Sequence, residues 1–242
     1  MSLFSILPAT RRALAHGAMD KGGGASHKSG CDDTGVPCFT PGIRIATQKG
    51  AVRVEDLRPG DLLQTADNGY QPVVWVGRRD LSGAELARLP DLRPVKIRPG
   101  SPLGNDRPLL VSPQHRLFVR KSLLGDLASQ HERFLRARLL CQLSPNLARI
   151  QSPEQGVSYL HVLTPRHEVI FADGIATETL WPGPMALRGL SPKDRAELFT
   201  LFPELRSVLA ARTRDDRDEV HRAYGGLARP DLSGSDLRAL SF

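Results

Sequence analysis

A chain of 242 residues with 40% hydrophobic and 24% charged side chains has the balance of an ordinary globular protein, long enough for one core plus an appendage. Its net charge of +7 is spread along the chain instead of gathered in blocks, so a basic solvated surface is favoured over a nucleic-acid binder. No apolar run approaches the roughly 18 residues of a membrane span, and in "MSLFSILPATRRALAH" the arginines follow the apolar patch, unlike a secretory signal.

Three cysteines make no disulfide framework, so a reduced, cytoplasmic thiol is the expectation. Residues 1–37 read as a flexible leader: "MDKGGGASHKSGCDDTG" is rich in Gly, Ser and charge, with a helical turn or two at most over Arg12 to Met19. Residues 38–185 then read as one domain of short strands punctuated by turns. "RIAT" and "AVRVEDL" flank the turn "QKG", and "RPGD" has the Pro-Gly centre of a type II turn. "LLQTAD" and "QPVVWVGRRDL" flank Asn68-Gly69, a hairpin signal. Further strands are predicted at "RPVKIRP", "RPLLVS", "HRLFV", "SYLHVL" and "EVIFAD", with Asp173-Gly174 as a turn. In "ERFLRARLLCQL", Glu132 to Leu143, helix and strand compete. The pattern predicts an all-β fold with a C-terminal helical tail over residues 186–242. There Ser191 is an N-cap with Pro192 behind it, and Leu198, Leu201, Phe202, Leu205, Val208 and Leu209 share one face of a single helix of about five turns.

Cys38 is the first residue of the strand-rich region, directly behind Pro37. A sulfur there can attack the carbonyl of the preceding residue through a five-membered ring. Such pre-positioned reactants reach effective molarities of about 10⁵ M or more. The product is a thioester in place of the peptide bond. The departing amide nitrogen needs a proton, for which histidine is suited, and the oxyanion needs a hydrogen-bond donor. "LLVSPQHRLFV" places Ser112 and His115 three apart on a turn between strands, where both side chains converge.

"CFTPGIRIATQKGAVRVEDLRPGDLLQTAD", "LLVSPQHRLFV" and "HEVIFADGIATETL", in that order, resemble the three signature blocks of the Hint (hedgehog/intein) family, in its bacterial branch outside true inteins. The resemblance covers residues 38 to about 183. It implies a horseshoe of short strands in which the first Cys and the last strand meet. It carries the nucleophile's role to Cys38, the proton donor's to His115 and the supporting hydroxyl's to Ser112, which stands where the family has Thr. His167 is similar to a histidine that many inteins carry before the last strand and would assist the downstream step. Glu178 and Thr179 stand where inteins end in His-Asn. Thr179 has no carboxamide to cyclise, so ligation of the flanks is not expected. Hedgehog domains have a second Cys near that end, absent here. What remains is cleavage of the Pro37–Cys38 bond, with water, a thiol or an amine as acceptor and the leader as leaving segment. Glu178 is a candidate base for the attacking water. Pro37 crowds the attacked carbonyl and is expected to slow the step.

Other residues take plainer readings. His161 alternates with apolar neighbours and reads as structural, Cys141 as a small core residue, Trp75 and Trp181 as packing. His27 and Cys31 fit no zinc spacing, so no metal or cofactor is expected; a Cys31–Cys38 disulfide is a way to block the nucleophile. A second reading is a non-catalytic β scaffold whose helical tail docks a partner.

Overall fold

The computed structural model describes residues 35–120, 132–210 and 217–232. The helical turn expected over Arg12 to Met19 lies outside them, as do His27, and Cys31 with the disulfide considered for it.

The early hairpins form where turn residues permit. β1 (Arg44–Thr47) and β2 (Gly50–Arg53) pair with Thr47 opposite Gly50. Arg58-Pro59-Gly60-Asp61 closes through Asp61 N–H to Arg58 O at 3.1 Å, and Gly60 supplies the positive φ (95°) that a type II turn demands. β3 (Leu62–Gln64) and β4 (Tyr70–Pro72) follow around Asn68-Gly69. β5 (Trp75–Leu81) leads into α1 (Gly83–Arg88), which Ser82 and Glu85 cap reciprocally. β6 (Val95–Ile97), β7 (Leu109–Val111) and β8 (Arg116–Val119) come next. The ambiguous "ERFLRARLLCQL" is both things in turn: β9 (Arg133–Arg136), then α2 (Ala137–Leu143). β10 (Ala148–Ile150), β11 (Val157–Leu163), β12 (Val169–Ala172) and β13 (Ile175–Glu178) complete the strands, the last two joined at Asp173-Gly174.

The large sheet runs β4-β3-β1-β12-β13-β8-β9, with β2 beside β1; β10-β6-β7 and β11-β5 form two smaller sheets. All strand pairs are antiparallel. The architecture is therefore mainly β instead of all-β, since α1 and α2 are set among the strands.

The C-terminal region carries α3 (Pro184–Gly189), α4 (Pro192–Leu201), α5 (Leu205–Ala210) and α6 (Arg217–Ala223). Ser191 caps α4 as expected, accepting from Asp194 N–H. The single five-turn helix is corrected: Pro203 has no N–H and its ring clashes with the carbonyl four residues back, so α4 and α5 are separate. Leu201, assigned to the apolar face, is 46% exposed.

Two cores result. One lies among the sheets and includes Ile45, Leu63, Leu109, Leu117, Leu135 and Ile170. The other packs the C-terminal helices, through Leu187, Leu198, Leu205, Val208 and Val220, against Trp75, Leu81 and Leu163. Each of those aliphatic side chains is buried to an extent worth roughly 1.5–3 kcal/mol. The helices are thus an integral wall of the protein. Phe39 points into the first core and Cys38 into the second, as neighbouring side chains on an extended chain must.

Candidate active site

Cys38 owes its surroundings to the residue after it. Phe39 bridges Val111 on one side and Leu160 on the other, both antiparallel, and so joins β7 to β11. Counting one residue outward from each bridge puts Ser112 and His161 on either side of Cys38. The hydrogen bonds follow that register. Cys38 N–H donates to Ser112 Oγ (3.0 Å), and Ser112 N–H donates to Cys38 O (3.0 Å). The Ser112 hydroxyl in turn donates to Val36 O at 2.7 Å. One side chain thereby clamps both flanks of Pro37. The Cys38 thiol also donates to Val36 O, at 2.8 Å.

The Cys38 thiol is sealed. Cys38 is 3% exposed, and Val36 beside it joins the same apolar core. Burial pushes the thiol well above its ordinary range, more strongly than Ser112 and Arg79 pull it down. The resting sulfur is a protonated thiol.

His161 lies with Nδ1 3.1 Å from the carbonyl oxygen of Pro37. A carbonyl only accepts, so Nδ1 carries the proton. Its Nε2 is buried with no hydrogen-bond partner among the described residues. Burial lowers this histidine to about 4, so it is neutral at neutral pH. The residue read as structural from its strand thus also touches the carbonyl that Cys38 would attack. No local spacing signals this; only the Phe39–Leu160 pairing creates it.

His115 follows the turn after β7, with its N–H on Ser112 O at 3.1 Å. Thr177 Oγ1 donates to Arg116 O (2.8 Å) and so accepts from His115 Nε2, 2.5 Å away. This fixes the tautomer: Nε2 is protonated, and Nδ1 offers a lone pair, buried and without a partner among the described residues. Burial lowers His115 to about 4, against the opposing pull of Glu178. Its ring meets the edge of Phe39 at 4.5 Å. The Cys38 amide is held by Ser112 and not by His115.

His167 and Glu178 belong to a neighbouring cluster. Glu178 accepts from Arg116 N–H (2.7 Å) and from the Arg116 guanidinium (2.8 Å), and His167 Nε2–H donates to it at 3.0 Å. His167 Nδ1 accepts from Ala228 N–H, and Arg116 also pairs with Asp231 at 2.7 Å. Burial opposes the charge on Glu178, but Arg116 and then His167 outweigh it and hold the carboxyl below the usual range. Its lone pairs are engaged, and its contacts tie the 228–231 segment to β8 and β13. Thr179 is 1% exposed, its hydroxyl accepting from Glu168 N–H and Thr164 Oγ–H. Trp75 and Trp181 are both buried packing residues, and Cys141 packs against the first core.

Residues 37–184 match the Hint domain family, and with more than half of the chain matched, the protein belongs to it. Among solved structures it is similar to the bacterial intein-like domain from Clostridium thermocellum, with a TM-score of 0.41, 12% identity, and 59% of this chain and 98% of that one covered. It is also similar to the MchDnaB-1 intein, with a TM-score of 0.36, 13% identity, and 58% and 98% covered. A search of curated proteins gives no significant match. Among the described residues, no helix is long and apolar enough to cross a membrane.

Proposed function

We propose that this Hint domain cuts its own chain at the Pro37–Cys38 bond by an N–S acyl shift, without splicing. Cys38 Sγ attacks the Pro37 carbonyl carbon, and the carbon–sulfur bond replaces the carbon–nitrogen bond. The thiol proton passes to the free Nδ1 of His115 and then to the departing Cys38 nitrogen. Ser112 holds the amide in place throughout. Water, a thiol or an amine then takes the acyl group and releases the N-terminal segment. Thr179, lacking a carboxamide, gives no succinimide, so the flanks are not joined.

The observation that carries this reading is the Ser112 clamp. Its hydroxyl accepts from Cys38 N–H and donates to Val36 O, spanning the one residue whose carbonyl is attacked. Supporting it are two neutral histidines, His161 on the Pro37 oxygen and His115 against the Phe39 ring, each with one bare lone pair. The burial and protonation of the thiol imply a slow reaction, because the sulfur gains nucleophilicity only as its proton leaves.

The same burial favours one competing reading, a β scaffold that keeps the residues and has lost the reaction. Intact mass after incubation with dithiothreitol or hydroxylamine separates the two. The expected result is loss of residues 1–37, absent in Cys38→Ala and strongly slowed in His115→Ala. An unchanged mass over days overturns autoprocessing and leaves the scaffold.

A further inference from the structure

We infer that His161 is a catalytic residue, the oxyanion donor for attack at Pro37, held in that role by Trp75 lying over Gly77. This rests on the autoprocessing reading and assigns it a group that neither the sequence blocks nor the spacing of Ser112 and His115 supplies.

On attack, the electrons of the Pro37 carbonyl move onto its oxygen, and the atom 3.1 Å away is the protonated Nδ1 of His161. The carbon–sulfur bond forms, the carbon–nitrogen bond breaks, and the proton lost by sulfur ends on the Cys38 nitrogen. His161 keeps its own proton and donates only a hydrogen bond. That bond strengthens as the oxygen turns from carbonyl to oxyanion, and a contact that strengthens toward the transition state accelerates the step.

The tautomer needed is the one the surroundings impose. Protonation at Nε2 instead would bury a donor with no acceptor among the described residues and would turn a lone pair toward the Pro37 oxygen. Both groups would then be uncompensated. With Nδ1–H, only a lone pair goes unmatched.

The ring is also held in orientation. His161 stands opposite Gly77 in the β11–β5 ladder. A Cβ at Gly77 would fall 2.0 Å from Trp75 Cη2, so glycine there is what lets the indole lie across the strand. The indole and imidazole planes are parallel within 2°, with centroids 6.3 Å apart. Trp75 Nε1–H is anchored on Glu197 of α4 at 2.9 Å. A histidine serving only to fill the core would need neither the fixed plane nor the contact with this particular oxygen.

The test compares wild type, His161→Ala, His161→Gln and Cys38→Ala by intact mass in dithiothreitol, with the unfolding midpoint of each. The expected result is a cleavage rate about 10²–10³-fold lower in His161→Ala, partly recovered in His161→Gln, whose amide restores an N–H donor. Equal rates in wild type and His161→Ala overturn the inference while autoprocessing stands. No cleavage in wild type overturns autoprocessing itself. Should His161→Ala fail to fold, imidazole ¹⁵N spectra of the wild type decide: protonated Nδ1 with bare Nε2 supports the assignment, and the opposite tautomer overturns it.

Discussion

Lowering the pH should unfold this protein through its two junction histidines before most carboxylates titrate. Burial lowers His115 and His161 from 6.5 to about 4. In the unfolded chain both regain the ordinary value, so between about pH 6.5 and 4 the unfolded state binds more protons than the native one. Stability from these groups is complete above 6.5 and lost as pH falls toward 4. A fall from 6.5 to about 4 corresponds to about 3 kcal/mol for each histidine by pH 4. Two such losses are comparable with the whole stability of a typical domain, about 5–15 kcal/mol. Glu178, held below the usual range, adds to the loss at still lower pH, whereas Glu168, which burial holds above it, works in the other direction. Urea unfolding followed by circular dichroism at pH 7.5, 5.5 and 4.5 measures the slope. His161→Gln, which cannot titrate, should remove about half of it. An acid slope that is absent, or unchanged in that variant, refutes the claim that these imidazoles are buried and neutral.

Ser112→Ala leaves the Cys38 N–H without its acceptor and the Val36 carbonyl with the thiol alone, costing about 1–3 kcal/mol in urea unfolding; Ser112→Thr, which keeps the hydroxyl, should lie close to wild type. Arg116→Met strands the buried Glu178 carboxylate and should cost about 3–5 kcal/mol. The double variant Arg116→Met/Glu178→Gln should recover much of that loss in the same titration. Gly77→Ala displaces the Trp75 indole, visible as a red shift in tryptophan emission together with slower cleavage.

The local grammar of the strands was legible. "RIAT" is β1 residue for residue, "RPGD" is the type II turn, and Asp173-Gly174 closes the last hairpin, because turn residues and alternation act over a few positions. Long-range features were not. "ERFLRARLLCQL" divides into strand and helix because Arg133–Arg136 pairs with β8 while the following residues bury Leu139 and Leu140. Pro203 should have signalled a break in the tail helix, but the apolar period runs through it. At the junction, Cys38, Ser112 and His115 stand out through residue type and spacing, since a thiol behind a peptide bond and a hydroxyl near an imidazole carry chemistry wherever they occur. His161 does not stand out. Alternation in a strand reports burial, and the carbonyl it meets is decided by which strand lies alongside, here through the single Phe39–Leu160 bridge.

In autoprocessing the Pro37 carbonyl passes from nitrogen to sulfur. Cys31 follows Gly30 and Cys141 follows Leu140, so Pro37–Cys38 is the only Pro–Cys bond in the chain. Protein labelled with carbonyl-¹³C proline and ¹⁵N cysteine therefore gives one carbonyl-to-amide correlation, from that bond alone. With autoprocessing this peak decays during incubation with a small thiol while the released Pro37 carbonyl carbon appears elsewhere. A peak that holds its full intensity while the protein stays folded would contradict it.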